Sequence, residues 1–457
     1  MSADPPYRSP ESTADNADPA ALWAPPGRVR YGVLTFLCLA ATLSYVPRIS
    51  IGVAEQAIRE DLELTPTEMG WVISAFFWSY ALFQVPSGWL SQTAGARKAL
   101  AIFASGWSAC TVWMAVASGQ VSLVASRLTM GLAQAGVFPA STQSVAHWFP
   151  QNRRGLASGS LGSFMSLGSA VGVLITGFLI QQIGWRWTFG LYSLPGFVWA
   201  VWFYIWFRDR PDDHPDMRPS ELALIAAGRQ EPAAEGVEQT AVRTPWLALA
   251  TSPALWWICG QQVFRASGYT LYASWFATFL KEARGVTSDR FAGFLNMLPV
   301  LMVVPAGMLG GLLSDWVFTR TGSLRLARQG LAVGSILACA ATFFVAYPLE
   351  DVWLSVGVIS LGSFCVSFAG PCAYSITIDM GGRHVSVVFS IMNMAGNIGA
   401  AVFPLVVPWL VGRAGWDSVM LLAGGIYLAA AFCWMMLRPE GTIIEQAVLG
   451  RELRVKG

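Results

Sequence analysis

The sequence predicts an all-α integral membrane protein of twelve transmembrane helices in two pseudo-symmetric six-helix bundles. Three observations predict it. Only 12% of the 457 residues are charged and 54% are hydrophobic, with a mean hydropathy of +0.50, whereas a soluble globular chain carries about 25% charged residues. That deficit runs along most of the chain, so a single anchor does not account for it. Apolar runs of about 20 residues, the length of a spanning helix, recur throughout. The two halves of the sequence also repeat each other.

The elements follow in chain order. Residues 1–29 are rich in Pro, Ala, Asp and Ser and lack the charged-then-apolar order of a signal peptide, which predicts a disordered cytoplasmic tail. Six apolar runs lie at 31–54, 69–91, 99–118, 121–145, 157–182 and 187–207, giving an N-terminal bundle over 30–207. Residues 208–252 are polar and read as a cytoplasmic linker, with one short helix candidate near 219–229. Six more runs, 253–280, 290–313, 327–347, 352–376, 386–411 and 416–437, give a C-terminal bundle over 253–437. Residues 438–457 close the chain as a second cytoplasmic tail.

Charge sets the orientation. With the N-terminus inside, 20 of the 29 Lys and Arg fall on cytoplasmic segments, 6 on external ones and 3 within spans. The positive-inside rule then places both termini in the cytoplasm. The net charge of +2 with no dense basic run gives no reason to invoke nucleic acid. The seven cysteines lie in apolar segments without metal-like spacing, so they read as core or lipid-facing thiols.

The repeat is visible in the loops. "SGWLSQTAGARK" (87–98) follows the second span, and "GGLLSDWVFTRTGSLRLAR" (310–328) follows the eighth. Gly88 to Gln92 aligns with Gly311 to Asp315, Pro139 with Pro371, and Trp185 with Trp416. Two similar six-span halves joined by a cytoplasmic linker describe a secondary transporter, with substrate held at mid-membrane between halves that rock against each other. Small-residue faces in "SGSLGSFMSLGSAVGVLITG" and "NMAGNIGAA" read as close helix packing.

Three arginines fall inside spans, where a charge is expensive and marks function by default. Arg48 lies 17 residues beyond Tyr31, about 26 Å along a helix. It either snorkels to the headgroups or meets the substrate. Arg265 is 12 residues from Pro253 and 15 from Leu280, which puts it near mid-span and facing a cavity. Arg127, nearer the outer end of the fourth span, either snorkels or serves an outer gate. With few acids in the spans, these cations suit an organic anion, because a guanidinium grips a carboxylate bidentately. Tyr45, Tyr80, Tyr269, Tyr272, Gln84 and Asn393 each read singly as packing residues, and together as a sugar-acid or dicarboxylate site. Glu55 at the outer end of the first span is a candidate proton site. Asp379, near the inner end of the tenth, has Arg383 as its neighbour and candidate partner.

The turns after spans two and eight resemble the Gly-x-x-x-Asp-x-x-Gly-Arg-Lys loop of the major facilitator superfamily. Gln92 stands where that family usually has Asp, so the cytoplasmic latch is weaker here or carried by Asp315. Four stretches, "MGWVISAFFWSYALFQVPSGWL", "RLTMGLAQAGVFPASTQSVAHWFPQNRRG", "YTLYASWFATFLKE" and "MNMAGNIGAAVFP", resemble the anion:cation symporter branch. That branch includes hexuronate and aldonate permeases, sialin and the vesicular glutamate transporters. The resemblance implies that Arg48 holds a substrate carboxylate, that Arg265 matches the vesicular members, and that Tyr80 and Asn393 contact substrate. The proton-coupled bacterial members carry an aspartate before the span-one arginine and a glutamate in span four. Here those places are Pro47 and Gln134. Gln134 keeps the hydrogen bonds of a protonated glutamate and is counted with the substrate site. Ile73 stands where the vesicular members have histidine.

The expectation is therefore a monomeric, multi-pass transporter of the bacterial inner membrane for a small organic anion, with a proton or sodium ion as the coupling partner, lipid around it and no cofactor. An uncoupled facilitator, an exchanger or a non-transporting receptor of the same fold is the alternative. The tails and linker are short for a receptor's output domain, and no nucleophile, nucleotide loop or metal cluster points to an enzyme.

Overall fold

The computed structural model describes residues 27–227, 244–287 and 289–446. The expectations for tail residues 1–26, linker residues 228–243 and tail residues 447–457 lie outside the described residues. The described chain is helical and contains no strand.

The first set of helices comprises α1 (Val29–Asp61), α2 (Pro66–Ala94), α3 (Ala96–Ala115), α4 (Gln120–Ala135), α5 (Val137–Trp148) and α6 (Arg154–Trp206). Two short helices follow, α7 (Pro219–Ala227) and α8 (Trp246–Ala250). The second set comprises α9 (Pro253–Thr270), α10 (Phe276–Arg284), α11 (Asp289–Thr321), α12 (Leu331–Ala346), α13 (Val352–Ser367), α14 (Ala369–Gly381) and α15 (Val385–Met436). A π-helical turn, Leu271–Trp275, joins α9 to α10, and another, Arg325–Gly330, leads into α12. The helices run past the apolar stretches that predict them, because backbone hydrogen bonding continues beyond the last apolar residue until a cap stops it. At α2, Thr65 and Glu68 form that cap reciprocally, each side chain bonding the other's backbone N–H.

Among the described residues, seven helical stretches are long and apolar enough to cross a membrane by length and composition: Val29–Asp61, Gln120–Trp148, Gln151–Trp206, Phe294–Thr321, Arg325–Ala346, Val352–Phe403 and Val406–Met436. Twelve runs were expected, and the difference has two physical sources. Polar residues such as Gln84 in α2, Arg97 and Lys98 in α3, and Gln261, Gln262 and Arg265 in α9 dilute those helices. The 56-residue stretch Gln151–Trp206 and the 52-residue stretch Val352–Phe403 are each more than twice the ~20 residues that one crossing needs.

Two helices turn sharply at a glycine. In α6, Gly184 has φ 76° and ψ 163°, and in α15, Gly415 has φ 72° and ψ 177°. That backbone region is essentially closed to residues with a Cβ. A tryptophan follows each glycine. The Trp185 indole N–H donates to Asp61 at the end of α1 (3.3 Å), which Arg186 also engages. The Trp416 indole N–H donates to Glu282 in α10 (2.9 Å). The expected pairing of Trp185 with Trp416 is thus a pairing of structure.

Packing repeats the same symmetry. In the first set α1 and α3 pack on α6, and α2 on α4; in the second, α9 and α12 pack on α15, and α11 on α13. The sets meet through α6 on α11 and α2 on α15. Glycine makes the first crossing close: a Cβ on Gly159 would lie 2.5 Å from the carbonyl oxygen of Gly307. On the outside, large apolar groups such as Leu174 (75% exposed) and Trp187 (76%) face outward, as lipid contact requires.

The segment after α6 docks on the first set, and its end of the molecule is the linker face. Glu221 of α7, fully buried, accepts the backbone N–H groups of Val29 and Arg30 at the start of α1 (3.3 and 3.2 Å). A carboxylate there offsets the positive end of the helix dipole.

Candidate functional site: an arginine-lined junction between the helix sets

Arg48 follows Pro47 in α1 and is 8% exposed. Its guanidinium carbon lies 4.5 Å from the ring centre of Tyr80, 4.6 Å from Phe76, 4.7 Å from Tyr45 and 5.6 Å from Phe77. Aromatic faces attract a cation by up to about 2 kcal/mol when both are desolvated. Arg48 is thus caged inside the protein, and the snorkelling reading does not hold.

Arg127 of α4 is 1% exposed, which removes the snorkelling reading for it as well. Its guanidinium carbon sits 4.8 Å from Phe76, the ring that Arg48 also meets. Its Nη1 donates to the Met130 sulfur at 3.5 Å, and its Nε is buried without a partner. Two cations thus converge on one phenyl ring, a repulsive arrangement that a bound anion would relieve.

Arg265 in α9 is half-buried and held by Gln262, whose Oε1 accepts from Nε (3.3 Å) and Nη2 (3.0 Å). It lines a cavity of about 180 Å³ with Tyr269, Tyr374, Ser158, Ser166 and Ser367, between α6, α9, α11, α13 and α14. Among the described residues, none of the three arginines forms an ion pair.

The polar companions divide. Tyr45 meets Phe138 edge-on, ring centres 6.2 Å apart, and presents its face to Arg48. Gln84 and Asn393 meet across the junction of the two sets: Asn393 Nδ2 donates to Gln84 Oε1 at 2.9 Å, and Gln84 Nε2 is buried without a partner. Gln134 Nε2 donates to the Ser44 carbonyl at 2.8 Å. Tyr272 is buried in the second set, its hydroxyl 3.6 Å from the Cys339 sulfur, away from the cavity. Sequence reasoning missed Gln262 and Tyr374. Gln262 was findable three residues before Arg265, one turn away on the same helix.

The acids all lie away from the arginine cluster. Glu55 pairs with Arg59 at 3.2 Å. Asp379 pairs with Arg154 of the first set at 2.6 Å, with Arg328 further off at 3.7 Å, and not with Arg383 as expected. The sequence neighbour lost to a residue brought in by the fold. Asp315 accepts the backbone N–H groups of Gly155 (2.9 Å) and Leu156 (2.7 Å) at the start of α6, together with Nη1 of the fully buried Arg328 (3.0 Å). Its counterpart Gln92 makes one neutral contact, 2.9 Å, with His384. Of the two counterparts, Asp315 makes the charged contact between the helix sets and Gln92 a neutral one.

These bonds gather at the linker face and tie the sets together there. At the opposite face, the bonds of Asp61, Arg186, Glu282 and Trp416 stay within a set.

A family model described as Major Facilitator Superfamily matches residues 37–379 and 322–452. Among similar proteins, a probable sulfoacetate transporter of Cupriavidus necator is 30% identical, covering 91% of this chain and 95% of its own length. A probable galactarate/D-glucarate transporter of Escherichia coli (strain K12) is 29% identical over 89% of this chain and 93% of its own. Among solved structures, a proton:xylose symporter superposes with a TM-score of 0.70 at 14% identity, covering 92% of this chain and 98% of its own. The human organic anion transporter MFSD10 gives 0.64 at 16% identity, covering 90% of this chain and 100% of its own.

Proposed function

Because this chain belongs to the Major Facilitator Superfamily, within its sugar-acid and anion transporter branch, we propose that it is a secondary transporter of a small organic anion, a sugar acid or other carboxylate. The observation that carries this reading is a set of three arginines without a carboxylate partner among the described residues: Arg265 in the cavity between the helix sets, and Arg48 and Arg127 on the Phe76 ring of the first set. Arg48 and Arg127 form one cationic head, with Tyr45 and Tyr80 at Arg48, and Arg265 the other, with Tyr269 and Tyr374 in its cavity. Such a site suits an anion with a charged group at each end. Relatives named for sulfoacetate and for galactarate or D-glucarate support that choice.

The architecture we propose is twelve crossings in two six-helix bundles, with Gly184 and Gly415 each turning the chain between two crossings. The pseudo-symmetric packing and the length of α6 and α15 support it. The linker face is then cytoplasmic, as the arginine distribution argues. A cysteine-specific, impermeant reagent tests this. In intact cells it should modify Lys281→Cys but reach Arg153→Cys only after permeabilisation; the reverse pattern would overturn the orientation.

Alternating access follows from the two faces. The linker-face latch closes the inside, and release of Asp315 and Asp379 from the start of α6 opens it. Proton coupling needs a group that changes charge near the substrate. Pro47 and Gln134 do not titrate, and Glu55 is engaged with Arg59. Counterflow in liposomes should therefore proceed, with a rate that depends little on external pH. Gln134→Glu should make it pH-sensitive. Substrate-driven proton flux in the wild type that survives Glu55→Gln would overturn the weak-coupling reading, and absence of counterflow for every carboxylate and sulfonate tried would overturn the transporter.

A further inference from the structure

Pro47 lies within α1 one residue before Arg48. α1 stays helical through it, but without an N–H it leaves the Leu43 carbonyl without its usual donor four residues on, so this turn lacks one of the helix's own hydrogen bonds. The next carbonyl, that of Ser44, receives a hydrogen bond of 2.8 Å from Nε2 of Gln134 on α4. Ser44 and Gln134 are each 2% exposed, so the bond is shielded from water.

The same stretch of α1 is held from the other side by α6. Thr42 Oγ1 donates to the Phe164 carbonyl at 3.0 Å, and Thr176 Oγ1 bonds Ser50 Oγ at 2.7 Å. A Cβ on Gly168 would lie 2.5 Å from the Thr42 carbonyl oxygen, so the two backbones are in close contact. This weakened turn is therefore held between α4 and α6, one turn from Arg48.

We propose that Gln134 is a positioning residue: its amide holds the turn of α1 that Pro47 leaves short of a hydrogen bond and thereby aims Arg48, without itself touching the substrate. A neutral amide is the group that fits. It donates at any pH, whereas a carboxylate donates only when protonated, and it places no negative charge beside Arg48 and Arg127. The proposal rests on the anion reading for its binding test, but the clamp itself is measurable without a ligand.

The experiment uses the full chain in lipid, as wild type, Gln134→Leu, Pro47→Ala and the double variant. Two readouts are taken: amide hydrogen exchange over residues 43–52, and binding of sulfoacetate, D-galactarate and D-galactonate. Gln134→Leu should speed exchange in that segment and weaken anion binding roughly tenfold, as a small misplacement of a binding group does. Restoring the N–H with Pro47→Ala returns the turn its own hydrogen bond, so Gln134→Leu should then weaken binding by less than about threefold, a non-additivity that marks two residues acting on one element. Unchanged exchange in Gln134→Leu, or an equal loss of binding in both backgrounds, would overturn the proposal. If Pro47→Ala does not fold, the ligands decide: a positioning residue weakens all bound anions by one factor, and a factor that changes with the ligand overturns it. If none of the three anions binds wild type, the anion reading is at fault, and the exchange readout still decides the clamp.

Discussion

Arg265→Ala loses uptake of the anion by about a hundredfold or more, the scale expected when one partner of a buried charge pair is removed. The protein should nevertheless fold. Arg265 makes no ion pair among the described residues, so its removal strands no buried carboxylate, and it relieves the desolvation of an unpaired cation. Gln262 already fixes two of the guanidinium nitrogens, leaving Nη1 for the cavity. Lysine cannot copy this, because a single ammonium group has no planar fork to share between Gln262 and a carboxylate. Arg265→Lys should recover little. Uptake into liposomes, with a thermal melt as the folding control, measures both. Anion uptake by Arg265→Ala at the wild-type rate would remove the case for an electropositive site.

Asp315→Ala should open the linker face. It deletes the acceptor for two backbone N–H groups of α6, charge-assisted bonds that contribute together about 3 kcal/mol. Because those bonds cross between the helix sets, the loss falls on the latched state and shifts the balance by about a hundredfold. Ser375→Cys reports it, since Ser375 is fully buried beside Ser158 of the first set (3.4 Å). Its reaction with a thiol reagent should accelerate strongly in Asp315→Ala and only slightly in Gln92→Ala, where one neutral contact is lost. Equal, unchanged rates in both would show that the latch does not hold this state.

The helical, repeated architecture was legible in the sequence because a membrane leaves few alternatives: long apolar runs must be helices, and the duplicated loops expose the repeat. Arg265 was expected to face a cavity, and it lines one. The rest depended on the fold. Asp379 looked to Arg383, four residues on, but Arg154 reaches it from the other helix set. Tyr269 and Tyr272, three apart, would share a face on an α-helix. The π-helical turn Leu271–Trp275 begins between them, and Tyr272 turns into the core while Tyr269 lines the cavity. Gln134 was counted with the substrate site because it stands where the bacterial symporters carry glutamate, and nothing local in the sequence shows that its amide reaches Ser44, ninety residues earlier.

The paired clasps, Trp185 to Asp61 and Trp416 to Glu282, bear on how the molecule is made. Each clasp closes on residues of its own half, so the ribosome need not finish the chain before the first one can form. Once residues 27–206 have been inserted, the corner opposite the linker face can already make its Trp185 and Arg186 bonds, and the later half can be threaded beside it. The bonds still open at that moment are those of the linker face, where Arg154 and the start of α6 wait for Asp379 and Asp315. Assembly would then end with the same contacts that every transport cycle must undo and remake.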